Sequence, residues 1–197
     1  MKISEYMARV GVPVKFLSAD INNVDIFDNL GLPLKTIDVY KKHYSRCKKI
    51  VEDCKFGVVF EGLSGCGKTY LGCAMIREYL KNKYRCARTT TGEVLDWYFT
   101  DYQGLRERYI VADVLFLDDL TKFVFKTDVN VQVIEKLIRL RADSGKITLF
   151  SCFDENDITT CFSKDIYRLI MGSCIHLVFP EVDLRIYFLE QYAKEFD

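Results

Sequence analysis

The sequence predicts a three-layer α/β domain, a central parallel sheet covered by helices on both faces. Three observations carry this. Apolar runs of strand length alternate with amphipathic stretches of helix length. A glycine-rich segment, Gly62–Thr69, stands between one such run and one such helix. A second apolar run, Val114–Leu117, ends in two consecutive acids, Asp118 and Asp119.

The elements follow in order. Residues up to Leu34 are mixed and turn-rich, and Lys35–Asp53 reads as a helix exposing Lys41, Lys42, Lys48 and Lys49. Phe56–Phe60 is a short apolar run suited to a buried parallel strand. Lys68–Lys81 reads as a helix with Leu71, Ala74, Met75 and Leu80 among its apolar positions. Tyr84–Thr89 is a second strand, Thr91–Tyr102 a helix and Val111–Leu117 a third strand. Val129–Ala142 is an amphipathic helix with Val133, Ile134, Leu137 and Leu140 on one side. Lys146–Phe153 is a strand, Ile166–Met171 a short helix, Ile175–Phe179 a last strand and Leu184–Ala193 a terminal helix.

At 197 residues the chain is long enough for one such domain and short for two. A lead-in and first helix over residues 1–55 precede the core over 56–197, with no linker between them. Hydrophobic residues at 49% and charged residues at 28% exclude a disordered or fibrous class. The formal net charge is zero, so no global basic field advertises a nucleic-acid partner. No apolar run approaches the roughly 20 residues that span a bilayer, and Met1–Tyr6 has no secretory apolar region. A cytoplasmic location without membrane contact is expected. The 8 cysteines include no C-x-x-C pair, and several fall in apolar periodic stretches, as buried reduced thiols do. His43 and His176 are the only histidines; neither has a nearby ligand cluster, so no metal site is expected on them.

Gly62-Leu63-Ser64-Gly65-Cys66-Gly67-Lys68-Thr69 fits the phosphate-loop pattern G-x-x-x-x-G-K-[ST] at every fixed position. Its glycines permit backbone angles that let the loop wrap phosphates with inward N–H groups. The helix that follows adds its positive dipole end. Expected ligands of the nucleotide are Gly62, Ser64, Gly65, Cys66, Gly67, Lys68, Thr69 and Tyr70. Lys68 is assigned to the β- and γ-phosphates and the Thr69 hydroxyl to Mg²⁺. ATP and Mg²⁺ are the expected cofactors of a P-loop NTPase.

Val114–Asp119 fits the Walker B pattern, about 50 residues downstream. Such a strand is expected beside the phosphate-loop strand, with Asp118 reaching the metal through water and Asp119 polarising the attacking water. A small-molecule kinase uses a substrate hydroxyl as nucleophile and needs no second acid, so the pair favours hydrolysis.

The pattern resembles AAA+ ATPases of the DnaC, DnaI and IstB type, the helicase loaders and transposition helper ATPases. Ala8–Phe16 looks like the family's R-x-G-I-P-x-x-F lead-in, and Gly62–Thr69 like its G-x-x-G-T-G-K-T loop with Cys66 in place of Thr. Thr89–Leu95 is similar to its strand-to-helix segment. Asp118-Asp119-Leu120 resembles D-D-L-G, with Thr121 where Gly is usual. Leu137–Arg141 and Lys146–Thr148 are placed like its R-Y…K-P-T-I segment.

The resemblance implies a three-layer AAA+ core with little or no C-terminal lid, here without the family's N-terminal helicase-binding domain. It implies a sensor-1 position at Ser151-Cys152, where the family has Ser-Asn; either Ser151 takes over the role or the role is weakened, since a thiol is a poor substitute for an amide. Tyr167-Arg168-Leu169 resembles the S-R-L segment, implying that Arg168 is an arginine finger acting on a neighbour's nucleotide and that the chain self-associates. Asp183-Leu184-Arg185 resembles the sensor-2 D-x-R, implying that Arg185 contacts the γ-phosphate. Read on their own, Arg168 equally suits a helix surface, and Arg185 a pairing with Asp183 or Glu181. The implied partners are a replicative helicase and single-stranded DNA, the latter near Trp97, Tyr98, Phe99 and Tyr102 with Arg106 and Arg108, where packing of the aromatics against the sheet is the alternative. The function expected is that of a replication accessory ATPase. The alternatives are a transposition helper, a nucleotide-gated binding module without productive hydrolysis and, least favoured, a small-molecule phosphotransferase.

Overall fold

The computed structural model describes residues 2–121 and 127–193. Its strands are β1 (Gly57–Glu61), β2 (Cys86–Thr90), β3 (Val114–Asp118), β4 (Ile147–Cys152) and β5 (Cys174–Val178). All pairings are parallel, in the order β2-β3-β4-β1-β5. The helices are α1 (Ile3–Arg9), α2 (Leu34–Asp53), α3 (Lys68–Lys81), α4 (Thr91–Thr100), α5 (Tyr102–Leu105), α6 (Asp128–Asp143), α7 (Glu155–Cys161), α8 (Lys164–Ser173) and α9 (Leu184–Ala193). Among the described residues no helix is long and apolar enough to cross a membrane.

Successive strand residues point to opposite faces, and both faces are covered, which is why these runs are almost continuously apolar. Phe60, Phe116 and Leu149 pack with Tyr40, Tyr44, Leu71 and Met75 of α2 and α3. Val59, Leu115 and Phe150 pack on the other side with Val94, Leu137 and Ile166 of α4, α6 and α8.

One expectation fails. The strand ending in Asp118 does not lie beside the phosphate-loop strand: β4 is inserted between β1 and β3. Burial explains the placement. Residues Thr148–Cys152 are all buried, so β4 suits the sheet centre. The edges go to β2, which carries Arg88, and to β5, which carries His176.

Several boundaries also move. The turn-rich lead-in contains α1, and its Val10 carbonyl accepts from Arg88 N (2.7 Å) on the edge strand β2. Glycine is required next to it: Gly11 has φ +94°, and a Cβ there would lie 2.3 Å from the Arg88 carbonyl oxygen. The aromatic helix stops at Thr100 because Asp101 turns extended and its carboxylate accepts from Gly104 N (2.9 Å), starting α5. A π turn at Arg106–Ile110 follows, so β3 begins at Val114 rather than Val111. The helix α7, absent from the sequence reading, starts at an Asp154 cap on Asn156 N (2.8 Å).

Arg141 locks this region. Its fully buried guanidinium donates to the carbonyls of Tyr109 (2.5 Å), Ala112 (2.9 Å) and Ile147 (2.5 Å), and to Thr148 Oγ1 (3.0 Å). Burial pulls its pKa down to about 9. Arg141→Met keeps apolar bulk but strands those carbonyls, and is expected to cost about 3 kcal/mol in a urea unfolding titration.

Candidate functional site

Gly62–Thr69 leaves the C-terminal end of β1 and closes into α3. The loop's curvature needs glycine: Gly65 and Gly67 have φ of +87° and +102°, and a Cβ on Gly65 would lie 2.1 Å from Asp183 Oδ1. Gly65→Ala is therefore expected to deform the loop while leaving far-UV circular dichroism unchanged. No side chain caps the N-terminus of α3, so the N–H groups of its first turn have no intrahelical partner. Lys68 Nζ donates to the Gly62 and Leu63 carbonyls (2.7 and 2.8 Å). The Tyr40 hydroxyl, from α2, donates to the Cys66 carbonyl (2.9 Å) and braces the loop from behind.

Asp118, at the buried end of β3, accepts from three neighbours. Thr69 Oγ1 (3.2 Å) and Ser151 Oγ (2.6 Å) meet Oδ1, and Arg88 Nη2 (2.6 Å) meets Oδ2. The Arg88 and Asp118 side chains are only 11% and 3% exposed, making this a buried ion pair. Ser151 is fully buried, and its Oγ also accepts from Asp119 N (2.8 Å). Asp119 has φ +55°, and its carbonyl and that of Leu120 both accept from Thr91 Oγ1 (3.0 Å each). The acid turn is thus fixed by β4 on one side and by the start of α4 on the other. Thr69 Oγ1 and the Asp118 carboxylate are hard oxygen donors placed together, a set that fits Mg²⁺.

The inserted β4 gives Ser151 its position between the phosphate-loop strand and the acid strand. Cys152 is turned to the other face, its thiol directed at the Phe60 carbonyl (3.8 Å). Burial, with Glu61 adding to it, pushes the Cys152 pKa up to about 12, so the group stays a neutral thiol.

Arg185 lines the cleft beside the loop, where Leu184 N donates to the Gly65 carbonyl (3.1 Å). Its guanidinium grips Asp183 through Nε (2.8 Å) and Nη2 (2.6 Å), which holds the Asp183 carboxyl below its usual range. Arg168 is exposed on α8 and does not line this cleft. Tyr70 does line it, edge-on to Phe16.

From the loop the cleft extends over about 750 Å³ along Phe16, Phe27, Tyr40, Tyr44, Phe179 and Phe188. Its aromatic wall suits a flat heterocycle, and its loop end an anion. The sequence reading missed this wall because its residues come from the lead-in, α2, the segment after β5 and α9. It missed Arg88 too, although a lone arginine among the alternating positions of β2 was a usable signal for a buried acid partner.

The aromatic segment after β2 divides. Trp97 packs edge-on to Tyr109, with Arg108 over both rings. Phe99 and Tyr102 are 63% and 41% exposed, and Lys136 Nζ lies 5.4 Å from the Tyr102 ring centre. The expectation that no ligand cluster surrounds the histidines is corrected at His176, which meets Glu61 and Glu155.

No protein-family model matches the sequence, and no curated protein matches it. Solved structures do. The DnaC helicase loader superposes with a TM-score of 0.72 at 18% identity, over 85% of this chain and 100% of that one. DnaI gives 0.69 at 18% identity, over 88% and 94%. DnaA from Aquifex aeolicus, bound to AMPPCP, gives 0.69 at 16% identity, over 94% of this chain and 57% of that one. The fold is that of an AAA+ ATPase core. The chain spans little more than half the length of two initiator chains it matches, and nearly the full length of the loader chains. Within it, the glycine loop, Thr69 and Asp118 all lie at the C-terminal edge of the parallel sheet, where open α/β sheets bind their ligands.

Proposed function

We propose that this AAA+ core is a DNA-replication accessory ATPase of the helicase-loader kind, binding ATP with Mg²⁺. The observation that carries the reading is the contact of Thr69 Oγ1 with Asp118 (3.2 Å), next to the glycine loop that carries Lys68. Support comes from the match to a solved helicase loader along that chain's whole length.

The loop N–H groups and Lys68 would hold the phosphates, with Ser64, Gly65, Gly67, Thr69 and Tyr70 lining the cleft there and the Cys66 side chain buried behind the loop. Lys68 would exchange its two loop carbonyls, one bond exposed and the other part-buried, for phosphate oxygens. Thr69 Oγ1 and Asp118 would hold Mg²⁺, which when bound neutralises charge on the β- and γ-phosphates. Asp119, fixed by Ser151 Oγ on its N–H, would orient and polarise the attacking water. Ser151 acts as a positioning residue, holding Asp118 and Asp119 together. Arg185 would swing from Asp183 to the γ-phosphate, and exposed Arg168 would reach the nucleotide of a neighbouring copy. Phe99 and Tyr102, with Lys136, Arg106 and Arg108, offer a stacking and phosphate-contacting surface for single-stranded DNA. A replicative helicase is the proposed protein partner.

Steady-state phosphate release, with and without single-stranded DNA, tests hydrolysis; turnover should exceed an Asp119→Asn control at least tenfold. Phe99→Ala with Tyr102→Ala should weaken single-stranded DNA binding about tenfold or more by anisotropy, since base stacking contributes about 1–3 kcal/mol per base. Pull-down of replicative helicases with ATP present tests the partner. A second reading, a nucleotide-gated module without productive turnover, is favoured by Cys152, whose thiol faces the Phe60 carbonyl. Phosphate release no faster than the Asp119→Asn control would select it.

A further inference from the structure

We propose that Glu61, Glu155 and His176 form a binding site for one divalent transition-metal ion, distinct from the Thr69–Asp118 pair. The three come from separate elements: Glu61 ends β1, His176 lies in β5 and Glu155 opens α7. One ligand atom from each falls within 4.8 Å of the others. Glu61 and His176 are on the same face of neighbouring strands, because Val59 pairs with His176 across the β1–β5 ladder.

The contacts within the trio are not those of a satisfied hydrogen-bond network. His176 Nε2 lies 2.5 Å from Glu61 Oε2, and Nδ1 lies 3.6 Å from Glu155 Oε2. Yet Glu61 Oε2 and His176 Nε2 are both buried without a hydrogen bond of acceptable geometry. Two such atoms crowded together form the kind of pair that a cation resolves. Ligands about 2.1 Å from one tetrahedral ion stand about 3.4 Å apart, so Glu61 and His176 need separate by about 0.9 Å. One imidazole nitrogen with two carboxylate oxygens suits Zn²⁺, Mn²⁺ or Co²⁺, and leaves a coordination position for water. An occupied site would tie β1, β5 and α7 together one residue before Gly62, and so stiffen the base of the glycine loop.

The full chain, in millimolar Mg²⁺ to satisfy the Thr69–Asp118 pair, is titrated with Co²⁺ and Zn²⁺. The visible absorption of bound Co²⁺ and the calorimetric stoichiometry with Zn²⁺ are the readouts. One equivalent is expected. His176→Gln and Glu155→Gln should each weaken uptake at least tenfold, whereas Thr69→Ala should leave it unchanged. Glu155 is half-exposed at a helix start, so its variant keeps the test open if His176→Gln unfolds, as checked by circular dichroism. Absence of uptake, or uptake unaffected by Glu155→Gln, would overturn the proposal.

Discussion

Lys68→Ala is expected to weaken ATP binding by roughly ten- to a hundredfold, the loss of charge-assisted hydrogen bonds contributing about 1.5–3 kcal/mol. The structure makes this a clean test of binding. Among the described residues, Lys68 Nζ donates to the Gly62 and Leu63 carbonyls and approaches the Cys66 sulfur, and its contact with Leu63 is exposed. Thermal stability without nucleotide should therefore change little. The measurement is a calorimetric titration with a non-hydrolysable ATP analogue, alongside a melting curve. Undiminished affinity in a folded Lys68→Ala protein would remove the phosphate loop from the nucleotide reading.

Asp118→Ala is expected to act on stability as strongly as on metal binding. The substitution leaves Arg88, 11% exposed, with the longer contact to Glu93 (3.8 Å) in place of its 2.6 Å partner, and takes the acceptor from Thr69 and Ser151. Breaking a buried pair from one side costs about 3–5 kcal/mol. The double change Arg88→Met with Asp118→Ala should recover much of that loss, because no buried charge is then stranded. Urea unfolding of the four proteins in the cycle gives the coupling directly. A loss below about 1 kcal/mol for Asp118→Ala alone would mean that the Arg88 pair is not formed in solution.

The interplay of these residues marks how far the sequence could be read. The glycine loop and the acid pair were legible because their chemistry demands fixed residue types over a few consecutive positions. The strand–helix alternation was legible because each element's apolar period is local. Arg88 was not assigned, since its meaning depends on an acid 30 residues away. Neither was the bracing of the loop by Tyr40, which looks like one more apolar residue on the buried face of α2. The helix α7 went unseen because it is short and depends on its Asp154 cap. Boundaries slipped where a side chain overrode periodicity, as Asp101 does between α4 and α5.

By itself, the sequence determined the α/β layering, the phosphate loop and the acids at a strand end, because backbone period and glycine requirement act over short stretches of chain. Only the tertiary structure decided that β4 lies between the two motif strands, that Ser151 and Arg88 hold Asp118, and that Glu61, Glu155 and His176 meet. Crossover connections leave the order of parallel strands open, and burial on both faces is the physical quantity that selects among the orders.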